Sequence, residues 1–167
     1  MKRIFITLGS QKFQFNRLLK AVDELCENKE EKEREIFAQI GYSTYKPKHF
    51  EYKNFLNRDE FLEKMSKADI VITHGGTGAI ISAVKMKKKV IAVPRLSEYG
   101  EHVDDHQLQL IKQFSDLNLI YSCEDVSKLN IALEIVENTE YRNYVSNTKT
   151  IINSIENFIQ ETINEQI

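Results

Sequence analysis

The chain has 167 residues, 41% apolar and 29% charged, with a formal net charge of −2. These values describe one water-soluble globular domain long enough for a substantial core, and they exclude the overall basic surface of a nucleic-acid binder. No apolar run reaches the length of a membrane span, and the N-terminus reads as a strand without a signal-peptide core, as expected of a cytoplasmic protein.

In chain order, Lys2 to Leu8 form a β-rich run that ends at Gly9-Ser10-Gln11. Phe15, Leu18, Leu19, Val22, Leu25 and Cys26 follow at helical spacing. Residues 26–35 are dominated by Glu, Lys and Arg and read as a solvated helix end and loop. Residues 35–41 and 50–55 are the next strand candidates, and residues 69–74 are a further strand that stops at a run of glycines. An apolar helical pattern over residues 77–88 comes next, then a strand over 90–93 closed by Pro94. Residues 95–105 are polar and form a loop. Leu108, Ile111, Phe114 and Leu117 mark a helix that Asp104 or Asp105 would cap. Leu119-Ile120-Tyr121 reads as a short strand, and Leu129, Ala132, Leu133 and Val136 as a helix. A long final helix carries Tyr144, Thr148, Ile151, Ile152, Ile155, Phe158, Ile159 and Ile163 on one face and ends near Ile167.

Strands alternating with helices predict an α/β fold, a Rossmann-like doubly wound parallel sheet in the order 3-2-1-4-5. Residues 1–140 form the Rossmann-like domain, and residues 141–167 a C-terminal helix that either packs on its own domain or docks on a partner. Cys26 and Cys123 fall far apart on apolar patterns and read as reduced core residues. The Lys85, Lys87, Lys88 and Lys89 run is read as a solvated helix end, with contact to anionic lipid as the alternative.

The most informative stretch is His74-Gly75-Gly76-Thr77-Gly78, between a strand and a helix. That geometry aims backbone N–H groups and the positive end of a helix dipole at an anion, and glycine permits both close approach and positive φ. A phosphate or diphosphate is the expected ligand; a purely structural tight turn has the same pattern. In the order 3-2-1-4-5 the first and fourth strands are neighbours, so the Gly9 loop flanks the same switch-point crevice.

The stretches Thr7-Leu8-Gly9-Ser10-Gln11-Lys12-Phe13-Gln14-Phe15-Asn16-Arg17-Leu18-Leu19, His74-Gly75-Gly76-Thr77-Gly78, Val93-Pro94-Arg95 and Glu101-His102-Val103-Asp104-Asp105-His106-Gln107-Leu108 together resemble the donor-binding half of GT-B glycosyltransferases of family 28. The resemblance is nearest to the small soluble subunit of two-chain enzymes. One kind adds the second sugar of the eukaryotic dolichol-linked glycan, and another assembles bacterial capsules and exopolysaccharides. It implies that Gly75, Gly76, Thr77 and Gly78 cradle the diphosphate of a UDP-sugar, with Gly9, Ser10 and Gln11 approaching from the first loop. His74 sits at a phosphate-contacting position, or is a core histidine at a strand end. His106 and Gln107 match the pair that reads donor-sugar hydroxyls. Ser82 stands where many relatives hold the ribose with a Glu, so that a bidentate charged contact is lost. Asp104, Asp105 and His102 also suggest a metal site, although such donors usually bind without a metal or other cofactor.

The implied activity is an inverting transfer of a hexose, with galactose as one candidate, from a UDP-sugar to a lipid-diphosphate-linked saccharide. A membrane-anchored partner would supply the acceptor site and hold this chain at the inner face of the membrane. No residue stands out as the general base, so catalytic residues stay unassigned. Two other readings are a non-catalytic subunit that stabilises a partner enzyme and a dinucleotide-binding oxidoreductase. The second lacks G-x-G-x-x-G after the first strand.

Overall fold

The computed structural model describes residues 1–27 and 34–164, the side chains of Phe158 and residues 161–164 excepted. Most of the charged stretch expected at 26–35, namely residues 28–33, lies outside the described residues, as do residues 165–167 and the side chains of Phe158 and Ile163 on the last helix.

Six parallel strands form the sheet: β1 (Lys2–Thr7), β2 (Arg34–Gln39), β3 (Glu51–Lys53), β4 (Ile70–His74), β5 (Lys89–Val93) and β6 (Tyr121–Ser122). Their spatial order is β3-β2-β1-β4-β5-β6, the expected doubly wound order with a sixth strand at one edge. β1 is the centre, with Thr7 opposite both Gln39 of β2 and Thr73 of β4. Among the described residues, six α-helices connect or flank the strands: α1 (Asn16–Glu27), α2 (Arg58–Lys67), α3 (Thr77–Lys85), α4 (His106–Asp116), α5 (Leu129–Asn138) and α6 (Thr148–Asn164).

The two-residue period of each central strand divides its side chains between two cores. Ile4, Ile6, Leu8, Ile70, Ile72, Ile91 and Val93 pack with Leu18, Leu19 and Val22 of α1 and Leu129, Leu133 and Val136 of α5. Phe5, Val71, Val90 and Ala92 face the other way, toward Met65 of α2, Ile80 and Val84 of α3, and Ile111 of α4. Each large apolar side chain so buried contributes about 1.5–3 kcal/mol. Cys123 is buried and Cys26 half-buried against the first core; both are free thiols, and burial pushes each pKa up to about 11.

Several elements differ from the sequence expectation. α2 was not legible as a periodic run because only Met65 is fully buried on it. Its real signature is a capping box: Asn57 accepts from the Glu60 amide, and the Glu60 carboxylate accepts from the Asn57 amide. α3 stops at Lys85, since Lys87 turns left-handed at φ 56°. The lysine run is only partly solvated: Lys88 donates to the Ser66 carbonyl and Lys89 to that of Glu137 at 2.7 Å. β6 lies at Tyr121–Ser122 rather than 119–121, because Leu119 and Ile120 are buried before the strand begins. Tyr144 precedes α6 and packs on the second core instead of riding on the helix. Along α6, Ile151, Ile152, Ile155 and Ile159 are each about half exposed.

Candidate functional site

At the carboxyl edge of the sheet, β1 and β4 run side by side and their following loops rise together. The β1 loop turns at Gly9, whose φ of 72° favours glycine. Gly75, Gly76 and Gly78 have no positive φ, so the expected conformational reason applies to Gly9 and not to them. Close packing is the reason at Gly75 and Gly76 instead. A Cβ on Gly75 would stand 2.6 Å from Cβ of Gln107, and one on Gly76 would collide with Nε2 of His74. Around Gly78 there is open space.

His74 ends β4 and is 7% exposed, wedged between the two glycine loops. A Cβ on Gly9 would lie 2.7 Å from its Cε1. Burial, reinforced by the Arg95 charge and opposed by a hydrogen bond with the Thr7 backbone, lowers its pKa to about 4. The imidazole is therefore neutral near pH 7. It is a hydrogen-bonding group at the base of the crevice and not a cation.

Two buried polar side chains that sequence reasoning did not place in this role frame the crevice. Arg95 is 1% exposed; it donates to the Leu8 carbonyl at 2.7 Å and the Phe13 carbonyl at 3.3 Å, so it pins both ends of the Gly9–Gln11 turn. Its Nε and Nη1 are buried without a hydrogen-bond partner among the described residues, and burial lowers its pKa to about 10 against the pull of Glu101. The only trace of this in the sequence is an arginine directly behind Pro94 at the end of an apolar strand. Gln107, 3% exposed, accepts through Oε1 from the Gly75 amide at 3.2 Å and from the Arg95 amide at 3.0 Å. Its carbonyl thus joins the β4 and β5 loops.

The loop between β5 and α4 is anchored at Glu101, which is 0% exposed. Arg17 of α1 donates to both of its carboxylate oxygens, at 3.0 and 2.9 Å, and the Leu96 amide donates to it at 3.0 Å. Asp105 stands at the N-cap position of α4 but does not cap it; its Oδ1 accepts from the Ser97 amide at 2.7 Å. Asp104 accepts from the His106 amide at 3.1 Å.

The N-terminus of α3 has Gly76 at its cap position and no side-chain cap, so the first-turn N–H groups of Thr77 and Gly78 have no side-chain acceptor from it. Thr77, Gly78, Ser10 and Gln11 are exposed. Ser82 lies one turn further on, with its hydroxyl donated to the Gly78 carbonyl at 2.7 Å. His106 is exposed in the first turn of α4, its ring against the Asp104 carboxylate.

The model of the glycosyltransferase family 28 C-terminal domain matches residues 3–162. The chain belongs to that family. The human UDP-N-acetylglucosamine transferase subunit ALG13 is 28% identical over 129 residues, covering 74% of this chain and 11% of the human protein. The chain thus spans about a tenth of the length of that relative. Among solved structures, an NMR solution structure of ALG13 has a TM-score of 0.58 at 17% identity, covering 92% of this chain and 94% of that one. The crystal structure of the kitacinnamycin glycotransferase has a TM-score of 0.62 at 18% identity, covering 81% of this chain and 34% of that one. Both share the Rossmann-like fold seen here.

Proposed function

We propose that this chain is the donor-binding subunit of a two-component glycosyltransferase and holds the diphosphate of a UDP-sugar in the β1–β4 crevice. One observation carries the reading. The uncapped α3 N-terminus faces the Gly9–Gln11 turn at the switch point of a doubly wound sheet, in a chain of the family 28 C-terminal domain. Backbone amides of Thr77 and Gly78 and the α3 dipole stabilise the leaving UDP as negative charge develops on it. Neutral His74 contributes a hydrogen bond, while Arg95 and Gln107 hold the two loops at a fixed separation. The donor sugar lies toward the start of α4.

The relatives' name supports a UDP-sugar donor and a partner subunit. By extension from the sequence resemblance, the transferred group is a hexose and the acceptor a lipid-diphosphate-linked saccharide of a capsule-type polymer. A membrane-anchored partner presents that acceptor at the inner face of the membrane, and the half-exposed isoleucines of α6 are the candidate contact with it. The transfer inverts the anomeric centre, with the base supplied from outside this chain.

Thermal-shift titration with UDP, UDP-N-acetylglucosamine, UDP-galactose and NAD tests the donor site. Stabilisation by UDP and one UDP-sugar, with none by NAD, is the expected result. Stabilisation by NAD alone would replace this reading with the oxidoreductase one. For the partner, removal of residues 144–167 should abolish co-purification with a membrane-anchored chain while UDP binding persists.

A further inference from the structure

We propose that His102, Asp104 and His106 form a three-ligand site for a divalent transition-metal ion of the zinc class, carried on the loop between β5 and α4. One ligand atom from each residue lies within 4.8 Å of the other two. Nδ1 of His102 is 3.3 Å from Oδ1 of Asp104, and Nδ1 of His106 contacts that same oxygen. Ligands about 2.1 Å from a tetrahedral zinc ion stand about 3.4 Å from one another, so the His102–Asp104 separation matches, while the His106–Asp104 hydrogen bond must open to admit an ion.

The chemistry of the cluster favours a metal. The Asp104 amide donates to Nδ1 of His102 at 3.4 Å, a long hydrogen bond that an ion at that nitrogen would replace. Two imidazoles and one carboxylate suit zinc and its neighbours, whereas magnesium and calcium prefer all-oxygen sets.

The site is also pre-organised. The ligand segment is suspended between two buried anchors adjacent in sequence: Glu101, gripped by Arg17, and Gln107, bound to the Gly75 and Arg95 amides. Asp105, between two ligands, ties the loop to Ser97, and the Phe13 ring lies 5.0 Å from that of His102. His102 is largely covered, while Asp104 and His106 are about half exposed, so an ion can enter and its remaining positions are open to water or an anionic oxygen. Asp105, grouped with this cluster on sequence grounds, is not a ligand, and His106 is. The proposal stands whether or not the crevice binds a nucleotide.

The test uses the full chain stripped with a chelator and titrated with Co2+, followed by displacement with Zn2+. One Co2+ per chain should give visible d–d absorption without a thiolate charge-transfer band, which excludes Cys26 and Cys123 as ligands. His106→Ala and Asp104→Ala should each weaken Zn2+ binding by at least ~10-fold, since loss of a direct ligand exceeds the loss of an outer-shell partner. Both residues are exposed, so far-UV circular dichroism should match the parent chain; the metal-free melting temperature should be unchanged in His106→Ala and slightly lower in Asp104→Ala, which loses the bond to the His106 amide. Absence of Co2+ absorption in the parent, or unchanged Zn2+ affinity in both variants, would overturn the proposal and leave a hydrogen-bonded His-Asp-His cluster.

Discussion

The imidazole of His74 occupies the space that a side chain on Gly76 would need. One ring from the end of β4 therefore dictates glycine in the turn that follows it, and at Gly9 on the neighbouring loop as well.

This relation predicts strong coupling. Gly76→Ala should destabilise the protein by about 1–3 kcal/mol through overpacking. In a His74→Ala background the same substitution should cost much less, because the colliding ring is gone. Urea unfolding of the four proteins in the cycle measures the coupling energy. Additive effects would mean that the ring moves aside freely.

Gln107 should prove structural as well as ligand-related. Gln107→Ala leaves the amides of Gly75 and Arg95 without their acceptor, at about 1–3 kcal/mol for each amide that stays dry. Gln107→Glu keeps an acceptor and should retain more stability. Comparing unfolding free energies of the two variants separates loss of the bond from loss of the side chain's volume.

Acid should destabilise the fold in two separate windows. The unfolded chain protonates its histidine at 74 near pH 6.5, but the folded chain resists until about pH 4. Stability thus falls between those values, by roughly 3 kcal/mol at about 1.4 kcal/mol per pKa unit. Burial alone would raise the Asp23 pKa, but hydrogen bonds from the Tyr45 hydroxyl and the His49 and Lys48 amides outweigh it and hold it below 3.8. Its contribution is complete above pH 3.8 and is lost as the pH falls further, through its folded value. Unfolding free energies over a pH series should show both slopes, with His74→Gln removing only the upper one and Asp23→Asn only the lower.

Arg17→Ala strands a fully buried Glu101 carboxylate. The expected loss is roughly 2–4 kcal/mol, somewhat below that for a wholly buried pair because Arg17 keeps some solvent contact. Adding Glu101→Gln should recover part of it. Equal stability of the single and double variants in denaturant would show that the carboxylate finds another partner.

The sheet was legible because its central strands are short apolar runs bounded by glycine or proline and alternate with helices, which pointed to the doubly wound order in which the two glycine loops meet. α2 was not, because it buries little and its start is marked by an Asn57–Glu60 pair rather than a hydrophobic stripe. In the site, glycines announced a close approach, but the sequence suggested a ligand as the approaching body where the structure puts His74 and Gln107 against Gly76 and Gly75. Arg95 read only as part of a motif and Gln107 as a sugar contact, neither as a buried brace between loops. Their burial depends on loops that come together only in three dimensions.

The pairing of Thr7 with Thr73 joins residues far apart in the chain, and both glycine turns are fixed only when that pairing forms. Closing so long a loop is entropically costly, which makes the centre of this sheet a late and slow event in folding. During synthesis, β1 and β2 can pair early, yet the crevice has no second wall until β4 has left the ribosome. A nascent chain arrested before residue 74 would carry half a sheet with an apolar open edge, the form most in need of a chaperone.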